Sequence, residues 1–412
     1  MDLMIAWRNL WRNTRRTCII LTAIIIGIIS MLVLSAFGRG SMQGMVNNSL
    51  DNLVGHIKIR HPLYRVDPVI DNRLTESNLL MQQLQSLVPK GTKMVQRIRV
   101  EGLLSTSRDH EGVEIVGIEP ELERAVSFLR KPLYQGAMIS ADDPNGLLIG
   151  EELREKIGLD IGKKVVLLTQ TTEGGSISRA FRIRGSYKNE MKETEKRTVF
   201  VNLETLRQIT GAARDATEIS LRISADGIGS ATEITELSRA IGANLKNQGL
   251  EVSTWQQLLP AIHAYIAMFD TYMLIWFVVV FIAMGFGLAN TMLMAVYERM
   301  REFGLQRALG MRSSRIVRVV LIEVLLLLLL GVLIANCSAL VLTEWVFRGG
   351  IDLSVFAEGI EMWGISRIIY PVLGLRDVIS ANAVVVVLGL IVGLYPALQA
   401  ARFTPVETMR HT

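Results

Sequence analysis

The chain has 412 residues, 50% of them hydrophobic and 20% charged, with a mean hydropathy of +0.34 and a formal net charge of +5. That composition excludes a disordered chain, a collagen-like repeat and a disulfide-rich secreted domain. The two cysteines, Cys18 and Cys337, both fall in apolar runs, so their spacing points to neither a disulfide framework nor a zinc site.

Residues 1–16 carry four Arg and one Asp and read as a basic amphipathic helix on a membrane surface. Residues 17–38 contain no charge; at about 1.5 Å per residue they cross roughly 30 Å, the thickness of a bilayer core. A signal-peptide core is shorter, so this first span is expected to be retained. Residues 39–270 hold 29 basic and 29 acidic residues and are far too many for a loop. Alternating apolar positions predict strands at 55–60, 113–118, 164–169, 179–184 and 218–223. Helical patches fall at 77–87, 151–157, 203–209 and 231–247, and the mixture implies an α+β domain. Residues 113–210 read as a subdomain inserted into a second one made of 39–112 and 211–270. Ser253 and Gln256 fit a capping box that starts a stalk helix at 254–270, with a kink expected at Pro260. That helix would continue through a second charge-free span, 271–297. A loop follows at 298–314, then a third span at 315–343, an outer loop at 344–377, a fourth span at 378–401 and a tail at 402–412. The fold class is thus a membrane protein with four transmembrane α-helices and a large extracytoplasmic α+β domain between the first two.

Charge placement sets the orientation. The segment 298–318 holds six Arg and two Glu, and the basic excess lies there and at the two termini. Basic loops stay inside, so both termini and that loop are expected in the cytoplasm and 39–270 outside. The outer domain is left with no basic face, which excludes a nucleic-acid partner.

No catalytic constellation and no metal site emerges. His56 and His61 lie an odd number of residues apart on a predicted strand and so face opposite ways. Asp142 and Asp143 precede Pro144-Asn145-Gly146, which is turn chemistry. No G-x-x-x-x-G-K-[ST] occurs, so the chain is expected to bind neither ATP nor its magnesium. In the spans, Glu323 is expected to snorkel or to pair near Arg318. Gly389 and Gly393 permit close helix packing, and Asn290 and Asn336 are expected to bond neighbouring helices.

The inner loop is the most informative segment. Glu298 with Arg301 and Arg299 with Glu302 stand at i,i+3; Gly310 suits the left-handed residue that ends a helix, and Ser313 or Ser314 can cap the next. The stretch ERMREFGLQRALGMRSSRI, beginning at Glu298, resembles the coupling-helix loop of the FtsX/MacB-type permeases of ABC transporters. The tail 395–410, with Thr404, Pro405 and Glu407, resembles the end of that family, and Trp7, Arg8, Leu10, Trp11, Arg12, Arg15 and Arg16 resemble its membrane-surface helix.

The resemblance implies a mechanotransmitting permease with a MacB-like periplasmic core domain in a bacterial inner membrane. A separate ATPase dimer would bind ATP and magnesium. It would be met through Glu298, Arg299, Arg301, Glu302, Phe303, Gly304, Arg307, Ala308, Leu309 and Gly310. A second permease, identical or homologous, is implied as well. Within the family the chain looks most like the lipoprotein-releasing LolC/LolE branch, on its length and on residues 55–65. In that branch a lipoprotein reaches the complex laterally, between the first span of one permease and the second of the other. Here that implies an access path at Ile28, Leu32, Phe37, Phe269, Met273 and Phe277. The substrate would then pass to a periplasmic carrier recruited by 130–136 or 142–146. Efflux of peptides, antibiotics or other amphiphiles through a periplasmic adaptor, as in MacB, and FtsX-like signalling are the alternatives.

Overall fold

The structure is a computed structural model and describes residues 2–223, 231–353, 355 and 367–402. The tail beyond residue 402, with Thr404, Pro405 and Glu407, lies outside the described residues. In chain order the elements are α1 (Asp2–Arg12), α2 (Thr14–Ser49), β1 (Ile57–Arg60), α3 (Ser77–Leu87), β2 (Lys93–Ser105), β3 (His110–Ile118) and α4 (Pro120–Glu123). Next come β4 (Gln135–Gly136), β5 (Gly146–Gly150), α5 (Glu151–Lys156), β6 (Lys164–Gln170), β7 (Ser176–Tyr187), α6 (Lys192–Arg197), β8 (Thr198–Asn202) and α7 (Leu203–Thr210). Then follow β9 (Glu218–Arg222), α8 (Ala231–Leu245), β10 (Glu251–Thr254), α9 (Trp255–Leu258), α10 (Pro260–Glu298), α11 (Met300–Ala308), α12 (Ser313–Val341) and α13 (Leu375–Arg402).

The chain forms two compact units. One comprises Met1–Met42, Tyr265–Asp352 and Ile368–Thr412; the other comprises Gln43–Ala264 and Leu353–Arg367. Among the described residues, four helices are long and apolar enough to cross a membrane, running over Thr14–Val54, Pro260–Glu298, Ser313–Val346 and Leu375–Arg402.

In the first unit the spans share one core that includes Ile24, Ile28, Leu32, Phe277, Phe281, Val324, Leu328 and Val385. Glycines set the closest approaches. A Cβ on Gly389 would stand 2.6 Å from Leu328, and one on Gly393 2.9 Å from Val324, so the predicted G-x-x-x-G seats α13 on α12. Asn336 and Asn382 exchange amide hydrogen bonds between the same two helices, at 3.1 and 3.3 Å. Asn290, by contrast, is exposed on α10. Farther from α11, Arg39 of α2 donates to both carboxylate oxygens of Asp377 in the first turn of α13, at 2.7 and 2.6 Å, and to Asp270 of α10 at 2.9 Å.

The second unit is built on a ten-stranded mixed sheet in the order β10-β1-β9-β2-β3-β8-β5-β7-β4, with β6 pairing β2 and β7. The pairs β3–β8 and β5–β7 are parallel and the rest antiparallel. Residues alternate between two cores. Ile115, Leu147, Ile149, Val199 and Val201 enter one, beneath Leu203 and Leu206 of α7; Val116, Leu148 and Phe200 enter the other, with Phe128 and Tyr187. The strand β2 belongs to two parts of the sheet. Its residues 93–97 pair with β9 and 98–105 with β3. The expected subdomain boundary at 113 therefore falls inside β3, whose partner strand precedes it.

Two other sequence expectations shift by a residue or more. The capping box forms one position later, between Thr254 and Gln257, because Ser253 is held in β10 against Lys58. The stalk is broken at Leu259 (φ −123°, ψ 63°), and α10 starts afresh at Pro260. The ring of Pro260 disfavours helical geometry at the residue before it, so a break replaces the expected kink.

Arg97, on β2, is wholly buried. It donates to Glu123 at 2.9 and 2.7 Å, to Glu218 at 3.0 Å and to the carbonyl of Leu53 at 2.9 Å. Leu53 itself has φ +66°, where the chain leaves the first long helix. Burial is tolerated there because every charge has an opposite partner: Lys58 also reaches Glu218, at 2.8 Å, and those cations hold the Glu218 carboxyl below its usual range.

Candidate functional site

The loop 298–314 folds as the short helix α11 between α10 and α12. Arg299 interrupts α10 with φ −102°, and Gly310 closes α11 with φ +90°, the left-handed geometry expected of it. Ser313 is already the first residue of α12, whose cap position is Arg312, so neither serine caps the helix. Phe303 and Gly304 are buried, Phe303 in the shared core with Leu10, Ile316, Ala397 and Ala400. On the opposite side Leu305 and Leu309 are 57% and 80% exposed, which leaves an apolar edge open to a partner.

Ion pairs set the orientation of α11. Arg12 donates to Glu302 and Arg16 to Glu298, both at 2.5 Å, tying α11 and the end of α10 to α1 and the start of α2. The Arg12 guanidinium holds the Glu302 carboxyl below its ordinary range. Arg299 reaches Glu302 at 3.5 Å, as its i,i+3 spacing predicts, and Arg307 donates to the carbonyl of Ala401 at 2.9 Å. Glu298 pairs with Arg16, a partner its own helix does not supply. Arg301 and Ala308 stand exposed on α11.

Glu323 is paired, as expected of a membrane acid, yet its partner is Arg299 at 3.0 Å rather than Arg318. Neither this pair nor the pairs to Arg12 and Arg16 were visible in the sequence, because the partners lie 24, 290 and 282 residues apart. The helix α1 adds an amphipathic surface. Ala6 and Leu10 are buried, whereas Leu3, Met4, Trp7 and Trp11 are exposed beside Arg8, Arg12 and Arg15.

The residues expected to line a lateral access path are placed otherwise. Ile28, Leu32, Phe269 and Phe277 are at most 3% exposed inside the chain's own bundle; Met273 is half-buried, and Phe37 packs edge-on against Phe347. Their spacing identifies one helix face, but it is the face that packs inward. The outward face of α2 carries Ile19, Ile26 and Leu34, and that of α10 carries Trp276, Val279, Ile282 and Phe286.

Among the described residues no cluster of His, Cys, Asp and Glu is placed to hold a metal. His56 accepts from the Ile223 N–H at 3.0 Å, and Asp143 accepts from Arg184 at 2.5 Å. Both act as structural polar groups. The candidate carrier segments are a short turn leading into β4 and the tight turn before β5.

Residues 17–236 match the MacB-like periplasmic core domain, more than half of the chain, and residues 273–405 match the FtsX-like permease C-terminal domain. The chain belongs to the MacB/FtsX permease family. As a member of it, the chain is 27% identical to the lipoprotein-releasing system transmembrane protein LolC of Xylella fastidiosa, over 76% of each chain. It is 23% identical to a probable export ATP-binding/permease protein MacB of Pseudomonas entomophila, over 98% of this chain and 58% of that one. The periplasmic region of MacB from Actinobacillus actinomycetemcomitans aligns over 51% of this chain and 92% of that one, at 15% identity and a TM-score of 0.36. The protein is therefore a multi-pass ABC transporter permease of the LolC/MacB type, with four membrane helices and a MacB-like core domain.

Proposed function

We propose that this chain is the permease subunit through which a separate ATPase drives movement of an extracytoplasmic domain, and that the work done is release of lipoproteins from a bacterial inner membrane. The observation that carries the coupling is α11. It is a short helix between two spans, with Phe303 in the bundle core, its one acidic residue, Glu302, gripped by Arg12 and Arg299, and Leu305 and Leu309 left open. A partner that presses on such a helix moves α10 and α12 with it. Because α2 and α10 are continuous over 36 and 39 residues, displacement at one end is delivered to the other.

Lipoprotein release is favoured over efflux by the relative that matches along most of both chains, LolC; the efflux relatives are matched over 58% of their own length. Efflux of an amphiphile through a periplasmic adaptor is the second reading, supported by the match of those relatives along 98% of this chain. The basic segments 1–16 and 298–318 favour cytoplasmic termini. The exposed side chains of α2 and α10, including Ile26, Leu34 and Trp276, are the surfaces a laterally moving acyl chain would meet.

The test is a native pull-down of the chain in mild detergent with partners identified by mass. An ATPase together with a different four-span permease is the expected result. An ATPase with an adaptor and only this permease would favour efflux. Recovery of the intact chain without any ATPase would sink the coupling reading.

A further inference from the structure

Glu323 sits about three turns into α12, within a membrane span, and only 5% of its surface is exposed. An acid at that depth is costly unless paired, and apolar residues of similar size generally pack as well as a buried ion pair. What the pair adds is direction. Its partner, Arg299, stands at the break between α10 and α11, and its side chain is 10% exposed. The planar guanidinium meets three groups: Nη1 reaches Glu323 of α12 at 3.0 Å, Nε reaches Glu302 of α11 at 3.5 Å, and its centre lies 5.1 Å from the Phe303 ring. Three helices thus meet in one rigid fork. The neighbouring cations have other carboxylates of their own, Arg16 at Glu298 and Arg12 at Glu302.

We infer, on the reading of α11 as the coupling helix, that Glu323 is a positioning residue for it. Through Arg299, Glu323 fixes the rotation of α11 against the third span, so that α11 and α12 move as one body. Push on α11 then enters the bilayer through α12 as well as through the covalent link to α10. Without the pair, α11 keeps its chain ends, Phe303, the Arg12–Glu302 pair and the Arg307 bond to the Ala401 carbonyl, but loses its side-chain tie to α12 and gains rotational freedom against that span.

The first test needs no ATPase. With Cys18 and Cys337 replaced by serine, spin labels go on the exposed positions Leu305 and Leu329, and the chain alone is placed in nanodiscs. The parent should give one narrow distance. Glu323→Gln should broaden it, and so should the double variant Arg299→Met, Glu323→Met. The double variant removes both buried charges together and so keeps the fold. A merely structural pair predicts a narrow distance in the double variant, and that result overturns the proposal. In the complex, Glu323→Gln, which leaves every residue expected to meet the ATPase in place, should retain the ATPase but lose its stimulation by about tenfold. Undiminished stimulation would equally overturn it. If the parent chain retains no ATPase, the functional reading fails, and the label distances alone decide the positioning role.

Discussion

Arg97 shows how much one side chain can hold in this protein. It neutralises Glu123 and Glu218 and satisfies the Leu53 carbonyl, all within the buried interior of the domain. Arg97→Met leaves two carboxylates short of a partner and should cost about 3–5 kcal/mol. Thermal melting of the detergent-solubilised chain checks this, and a loss below 1 kcal/mol, roughly the size of a surface pair, would contradict it. His56 makes a pH prediction. Burial, aided by the charge of Arg222, lowers it from its ordinary 6.5 to about 4. Between those values the unfolded chain holds the proton and the folded chain does not. Stability that is complete above pH 6.5 is therefore lost as the pH falls towards 4. Because His56 is partly solvated, the loss should be at most about 2 kcal/mol. His56→Gln, which keeps an acceptor for Ile223, should flatten the melting-temperature slope in that window; an unchanged slope would remove the histidine as its source.

At the scale of elements, packing makes sharper demands than composition does. Gly389→Val should prevent α13 from seating on Leu328 and cost about 1–3 kcal/mol. Leu328→Ala in the same chain should recover part of that, and a double variant no more stable than the single one would mean the contact is misplaced. In α11, Ala308→Pro should break the last turn and abolish stimulated ATP hydrolysis while the chain still inserts; normal stimulation would show that α11 is not the coupling element. The spans were legible because each contains a run of 20 or more residues without charge. The strands β6, β7 and β9 were legible because apolar and polar residues alternate or nearly so. The strands β5 and β8 were not, because both their faces are buried and GLLIG and TVFVN show no alternation. The strand β2 was hidden by its charges, since Arg97 and Arg99 find their acids on other strands and on α4. The coupling segment was readable as a motif, but the orientation of α11 was not, because it depends on Arg12, Arg16 and Glu323. Which face of α2 packs inward was likewise not legible: its charge-free run carries no polar stripe to mark which side meets lipid.

For the whole molecule, the proposed coupling requires an ATP-binding protein on the open edge of α11. Two units of different build share one chain, a helical bundle with ionic ties among its helix ends and an α+β domain with a core on each side of its sheet. On the proposed coupling, the energy of a partner ATPase enters at α11. Photocrosslinking in living cells tests this directly. A photoreactive residue goes at Leu309, 80% exposed on α11, and a control goes at Leu122, 45% exposed in the outer domain. An adduct between position 309 and an ABC-type ATPase is expected, and no such adduct from position 122. An intact, membrane-inserted chain that yields no ATPase adduct at 309, or yields one at 122, would contradict it.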